Sequence, residues 1–161
     1  MSDLDKLYRA VILEHSKNPH NFAIPDSANY RADGHNPLCG DQVTLGLDIG
    51  PASHDDNGVE IIRAIGFRGV GCAISMAAAS MMTEVVKGLT PSQAEILAGE
   101  FEALVKPLSA SPEVADRASE HRAALETLAA FAGVAEHPMR IKCATLCWQT
   151  LRAALTTVSH S

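Results

Sequence analysis

The sequence predicts a single α+β domain, a small antiparallel sheet with helices packed against it. Three observations carry that expectation. Apolar residues alternate twice, at Val43, Leu45, Leu47 and Ile49 and again at Val59, Ile61, Ile65 and Phe67, with Arg63 interrupting the second run. Segments before and after these runs show helical spacing with recognisable starts and stops. Finally, 161 residues with 47% hydrophobic and 20% charged content suffice for one core, so residues 1–161 read as one domain.

Taken in chain order, Ser2 followed by Asp5 resembles a capping box, and Leu4, Leu7, Tyr8, Val11 and Ile12 mark one face of a first helix ending near Ser16. Pro19, Pro25 and Pro37 then punctuate a long irregular crossing over residues 18–38. The two alternating runs are joined by the turn-rich PASHDDNG and read as a hairpin. Two strands need more to pack with, and a third is expected from the crossing before Cys39 or from the MRI segment near the end. Gly69 and Gly71 close the second strand, and a helix over 73–87 stops at Gly88. Thr90-Pro91 with Gln93 opens another helix, which Pro107 ends. Ser111-Pro112 opens a fourth, running to about Phe131 before GVAEHP breaks the chain. The last helix runs from Cys143 to Val158, with Ala144, Trp148, Leu151 and Leu155 on one face.

Several function classes are disfavoured. Thirteen basic against nineteen acidic residues, a formal charge of −6 and no basic cluster speak against nucleic acid as a partner. Charges interrupt every long apolar stretch, so no membrane-spanning helix is expected. The opening MSDLDKLYRAV is acidic and amphipathic rather than a signal peptide, which gives a cytoplasmic expectation. No G-x-S-x-G elbow is present, and Ile74 breaks a G-x-G-x-x-G reading of Gly69 and Gly71. In a reducing compartment, four cysteines point to metal or sulfur chemistry in competition with simple burial.

The segment NPLCGDQ puts Cys39 and Asp41 one glycine apart at the entrance to the first clear strand, and Cys72 lies just beyond the second. An antiparallel hairpin brings those points to the same end of the sheet, although thirty-three positions separate the two cysteines. Cys143 is expected at a helix start, where thiolates are stabilised. Three thiolates and a carboxylate suit zinc, a borderline-soft ion that accepts sulfur and oxygen. Arg68, Arg140 and Lys142 are available to offset the surplus negative charge. The alternative is that Cys72 and Cys143 are small buried residues. Cys147, one helical turn after Cys143, reads as core in preference to a spare ligand or a resolving thiol. Met76, Met81 and Met82 read as helix packing, and His15 as a cap or surface group. His20 and His35, on the irregular crossing, are only minor candidates as ligands of the site, and His54, His121, His137 and His160 read as solvated.

These motifs also resemble a known family. LYRAVILEHSKNPHN, NPLCGDQ, GFRGVGCAISMAAASMMTEVVKG and MRIKCATLCWQTL, in that order, are similar to the SufU-type branch of the IscU-like iron–sulfur cluster assembly proteins. The resemblance implies that Cys39, Asp41, Cys72 and Cys143 bind zinc, and that Cys39 accepts persulfide sulfur from a SufS-like cysteine desulfurase. In that scheme a partner histidine replaces Cys39 on the metal, and the sulfur passes to downstream assembly or thiol acceptors. The chain would then be a sulfurtransferase-type partner rather than a stand-alone enzyme. IscU-like scaffolds usually carry a histidine before the last motif cysteine, where this chain has Lys142. SufU-like proteins carry an insertion between the second and third motifs, expected here as helices over residues 99–122. The competing readings are a scaffold for a transient [2Fe–2S] cluster on the same residues and a purely structural zinc module.

Overall fold

The computed structural model describes residues 3–52, 59–105 and 122–158. Its elements are α1 (Asp3–Lys17), β1 (Tyr30–Asn36), β2 (Asp41–Pro51), β3 (Glu60–Val70), α2 (Ala73–Val86), α3 (Pro91–Leu104), α4 (Arg122–Leu128), a 3₁₀ segment (Ala129–Glu136) and α5 (Pro138–Val158). The strands form one antiparallel sheet in the order β1-β2-β3, with helices packed against it, the α+β class expected.

The third strand comes from the crossing. Tyr30–Asn36 contains Asp, Gly and Asn, poor strand formers, and its conformation is supplied by pairing with β2, from Tyr30 opposite Leu47 to Asn36 opposite Asp41. The MRI segment is helical instead. Pro138, a favourable first helical residue, opens α5, so the last helix begins five residues before Cys143.

Val43, Leu45, Leu47 and Ile49 of the central strand are all buried, as the alternation predicts. Along the second run the burial parity differs: Ile62, Ile65 and Phe67 of β3 are buried, whereas Ile61 is half-buried and Val59, just before the strand, is exposed. The cause is a bulge, since Asp48 pairs with Ala64 and Ile49 with Ile62, leaving Arg63 unpaired in the ladder. Arg63 turns outward and meets Asp48 at 2.7 Å, holding that carboxylate below the ordinary range.

The rest of the crossing packs on the sheet rather than looping free. Phe67 N–H donates to the Asn21 carbonyl at 3.0 Å, and Ile24 lies over Gly46. On the other side α5 packs on β1 and β2, and α2 sits between α1 and α5. Trp148 of α5 stacks on Phe101 of α3 at 5.1 Å, and Phe131 meets Phe101 edge-on at 5.8 Å.

Thr90 and Gln93 make the expected capping box at the start of α3. That helix ends at Leu104, short of Pro107, which lies outside the described residues. So do Ser2, Ser111-Pro112 and most of the PASHDDNG turn. Of residues 99–122, those described belong to α3, its Val105 cap and the start of α4, and Phe101 among them is core. Within the described residues the fourth helix, α4, gives way to the 3₁₀ segment at Ala129, before Phe131, and GVAEHP straddles that segment's junction with α5.

Candidate metal centre

The β1–β2 hairpin presents the first two residues. Asn36 and Asp41 pair across its mouth, and residues 37–40 turn the chain. The Asn36 side-chain oxygen accepts from Leu38 N–H, its carbonyl accepts from Cys39 N–H, each at 3.3 Å, and Gly40 supplies the left-handed step with φ 70°. The turn leaves Cys39 exposed. Asp41, the first residue of β2, is fully buried.

At the far end of β3, Val70 stands opposite Gln42, which brings Cys72 to the same rim. Cys72 is the N-cap of α2: its Sγ accepts from Ser75 N–H at 3.5 Å, and its own N–H donates to Asp41 Oδ1 at 3.0 Å. Gly71 makes this approach feasible, because a Cβ there would lie 2.6 Å from Asp41 Oδ1. The cysteine at a helix start is therefore Cys72. Cys143 is in the second turn of α5, fully buried, and not at a helix start as the sequence implied. Burial pushes its thiol pKa up, and the closeness of Asp41, Cys39 and Cys72 adds to the shift.

Cys143 Sγ lies 3.5 Å from Cys39 Sγ, and the donor atoms of Cys39, Asp41 and Cys143 all fall within 4.8 Å of one another. Cys72 stands just outside this compact group but close enough to interact with Cys143. Asp41 Oδ2 is buried with no hydrogen-bond partner. A buried, unpartnered carboxylate oxygen beside two thiols costs free energy that a bound cation would offset. The donor set of thiols and one carboxylate fits zinc.

Of Arg68, Arg140 and Lys142, Arg140 is the one beside the site. Hydrogen bonding to Cys143, and the nearby Cys72, hold it more firmly in its charged form. Arg68 instead lies over the Phe22 ring at 5.8 Å, and Lys142 is exposed. Arg140 also lines an open cleft of about 480 Å³ with Tyr8, Ile12, Ile74, Val134 and His137. Cys147 is core, its thiol pKa raised by burial. Met81 and Met82 are fully buried and Met76 partly so, all in the core.

His35 is exposed on β1, and His137 is exposed at the mouth of α5. His54, His121 and His160 lie outside the described residues. His15 in the last turn of α1, His20 in the loop after it and Glu84 in the last turn of α2 stand together, away from the group of Cys39, Asp41 and Cys143. The separation of His15 and His20 by five residues is not a metal-binding spacing by itself, so only the loop that folds His20 back reveals the pair.

Comparison with known proteins bears on this arrangement. Residues 7–144 match the NifU-like N terminal domain. The chain is 35% identical over 152 residues to the zinc-dependent sulfurtransferase SufU of Bacillus subtilis, covering 93% of this chain and 90% of that protein. It is 36% identical over 155 residues to the iron–sulfur cluster assembly scaffold protein IscU of Streptococcus pyogenes, covering 96% and 86% respectively. The fold alone is shared with a NifU-like protein (N-terminal) from Brucella abortus, with a TM-score of 0.75 at 19% identity over 99% of each chain.

Proposed function

This chain belongs to the NifU-like N-terminal domain family, and from that premise we propose that it handles sulfur for iron–sulfur cluster assembly as a zinc-dependent sulfur acceptor. The supporting observation is how burial divides the donor set. Cys39 alone of the four cysteines is exposed, while Asp41 and Cys143 are buried behind it. One thiol can thus meet a partner protein while others stay in place.

Cys39, Asp41, Cys72 and Cys143 would hold the zinc. The ion, when bound, keeps the thiols as thiolates at neutral pH and shields them from oxidation. Cys39 does the transfer: its thiolate attacks the terminal sulfur of a persulfide on a SufS-like cysteine desulfurase. The new S–S bond forms on Cys39 as the old one breaks, and the partner's cysteine leaves as a thiolate, with no change in the number of protons or electrons. Arg140 places a positive charge beside the Cys72 and Cys143 thiols. Downstream assembly proteins or thiols would receive the sulfur. In this reading the protein is cytoplasmic and is the sulfur-accepting partner of the desulfurase. No helix of the described residues is long and apolar enough to cross a membrane.

The near-equal identity to the streptococcal scaffold supports a second reading, a transient [2Fe–2S] cluster on the same residues. Lys142 in place of a histidine argues for the first. The test is desulfurase turnover with mass analysis of trapped persulfide, on folded variants of known metal content. Cys39→Ser should abolish stimulation of the desulfurase and Cys147→Ser should preserve it. Persulfide on Cys143 with Cys39 unmodified would overturn the assignment. Stable iron and sulfide in comparable amounts, in place of about one zinc per chain, would favour the scaffold.

A further inference from the structure

We propose that His15, His20 and Glu84 form a second metal site, for a divalent ion of the zinc class, distinct from the cysteine centre. The donor atoms of these three side chains lie within 4.8 Å of one another. The two sites are at opposite ends of α2: Cys72 caps its start and Glu84 lies in its last turn, about 18 Å further along the axis.

The geometry goes beyond three polar groups meeting at a surface. His15 Nδ1 is 2.8 Å from Ser80 Oγ, which also accepts from the His20 backbone N–H at 2.7 Å. With Nδ1–H donated to this fully buried hydroxyl, His15 keeps its Nε2 lone pair free, and that atom lies 3.7 Å from Glu84 Oε1. A ligating histidine characteristically donates its other ring N–H to a fixed protein acceptor. His20 Nδ1 lies 3.0 Å from the same Glu84 oxygen. On ligation through Nδ1 its hydrogen resides on Nε2, a change of tautomer with no net proton release.

The surrounding structure holds the donors in place and favours a cation. The chain after His20 is pinned on two sides, by Asn21 Nδ2 donating to Thr83 Oγ1 at 3.0 Å and by the Asn21 carbonyl accepting from Phe67 N–H. Asn21 takes the left-handed conformation, φ 56°, that folds His20 back over α2. His15 is in the last turn of α1 and Glu84 in the last turn of α2, so the negative ends of two helix dipoles converge here. Two imidazoles and one carboxylate form a three-donor set that suits zinc and leaves a fourth position for water or an incoming donor.

The test titrates zinc into the full chain beyond one equivalent while NMR follows the histidine ring nitrogens. A shift at His15 Nε2 and His20 Nδ1 is expected. His20→Ala and Glu84→Gln, both at exposed positions, should each weaken this binding by about tenfold or more, at least the loss that removing an orienting partner brings. Zinc binding by the cysteines should be unchanged in both variants. Because the readout is the ring nitrogens rather than total zinc, it stands whatever metal the cysteines hold. Histidine signals that stay unmoved, or a response that neither variant alters, would overturn the proposal.

Discussion

Replacing Asp41 with alanine separates the two things its carboxylate can do. In the metal-free protein the change removes the hydrogen bond from Cys72 N–H, a charge-assisted contact worth about 1.5–3 kcal/mol. It also removes the buried, unpartnered Oδ2, whose desolvation costs about 1–3 kcal/mol. The two terms oppose each other, so the metal-free stability should change by no more than about 2 kcal/mol. With zinc bound the balance differs, because a ligand is lost and water is a weaker substitute. Zinc should dissociate at least about tenfold faster, equivalent to about 1.4 kcal/mol. The stability gap between zinc-loaded and zinc-free protein should shrink correspondingly. Chelator-competition kinetics give the rate, and urea unfolding with and without zinc gives the gap. If metal-free stability collapses while the zinc off-rate and the gap stay unchanged, Asp41 is only an acceptor for the Cys72 backbone, and its assignment as a ligand fails.

Two further outcomes are expected. Gly71→Ala puts a Cβ 2.6 Å from Asp41 Oδ1 and 3.1 Å from Ser75 Oγ, so urea unfolding should register a loss of about 1–3 kcal/mol, with faster zinc release. The loss should be absent if the carboxylate can move aside freely. Asp48 has a folded-state pKa lowered first by its hydrogen bond to Arg63, so its contribution is present above the unfolded carboxylate pKa of about 4 and is lost as pH falls through the lower folded value. Asp48→Asn should therefore cost about 1 kcal/mol or less at neutral pH and flatten the decline in stability below about pH 4, measured by unfolding across a pH series. An unchanged acid limb would mean that the pair with Arg63 contributes nothing.

Local chemistry wrote much of this fold into the sequence. The period-two run of β2, the Thr90/Gln93 capping box and the apolar face of the last helix depend on nearest neighbours, and all three stand in the structure. Hairpin topology sufficed to bring Cys39, Asp41 and Cys72 to one rim, because antiparallel pairing turns sequence separation into proximity. The β1 strand was barely legible: its strand conformation depends on pairing with β2, and Asp, Gly and Asn carry no such preference alone. The burial of Ile62 in place of Ile61 follows from a bulge at Arg63, which depends on register between two strands and not on either one.

What the sequence by itself determined was which side chains had metal chemistry to offer, since thiol and carboxylate are properties of the residue. Tertiary structure decided how they are used. Pro138 starts α5 a turn early, which buries Cys143 beneath the hairpin turn, while the N-cap of α2 goes to Cys72. Burial is a property of everything that packs around a residue. Only the assembled fold could therefore leave Cys39 in solvent with Asp41 and Cys143 enclosed behind it, or bring His15, His20 and Glu84 together from two helix ends and the loop after α1.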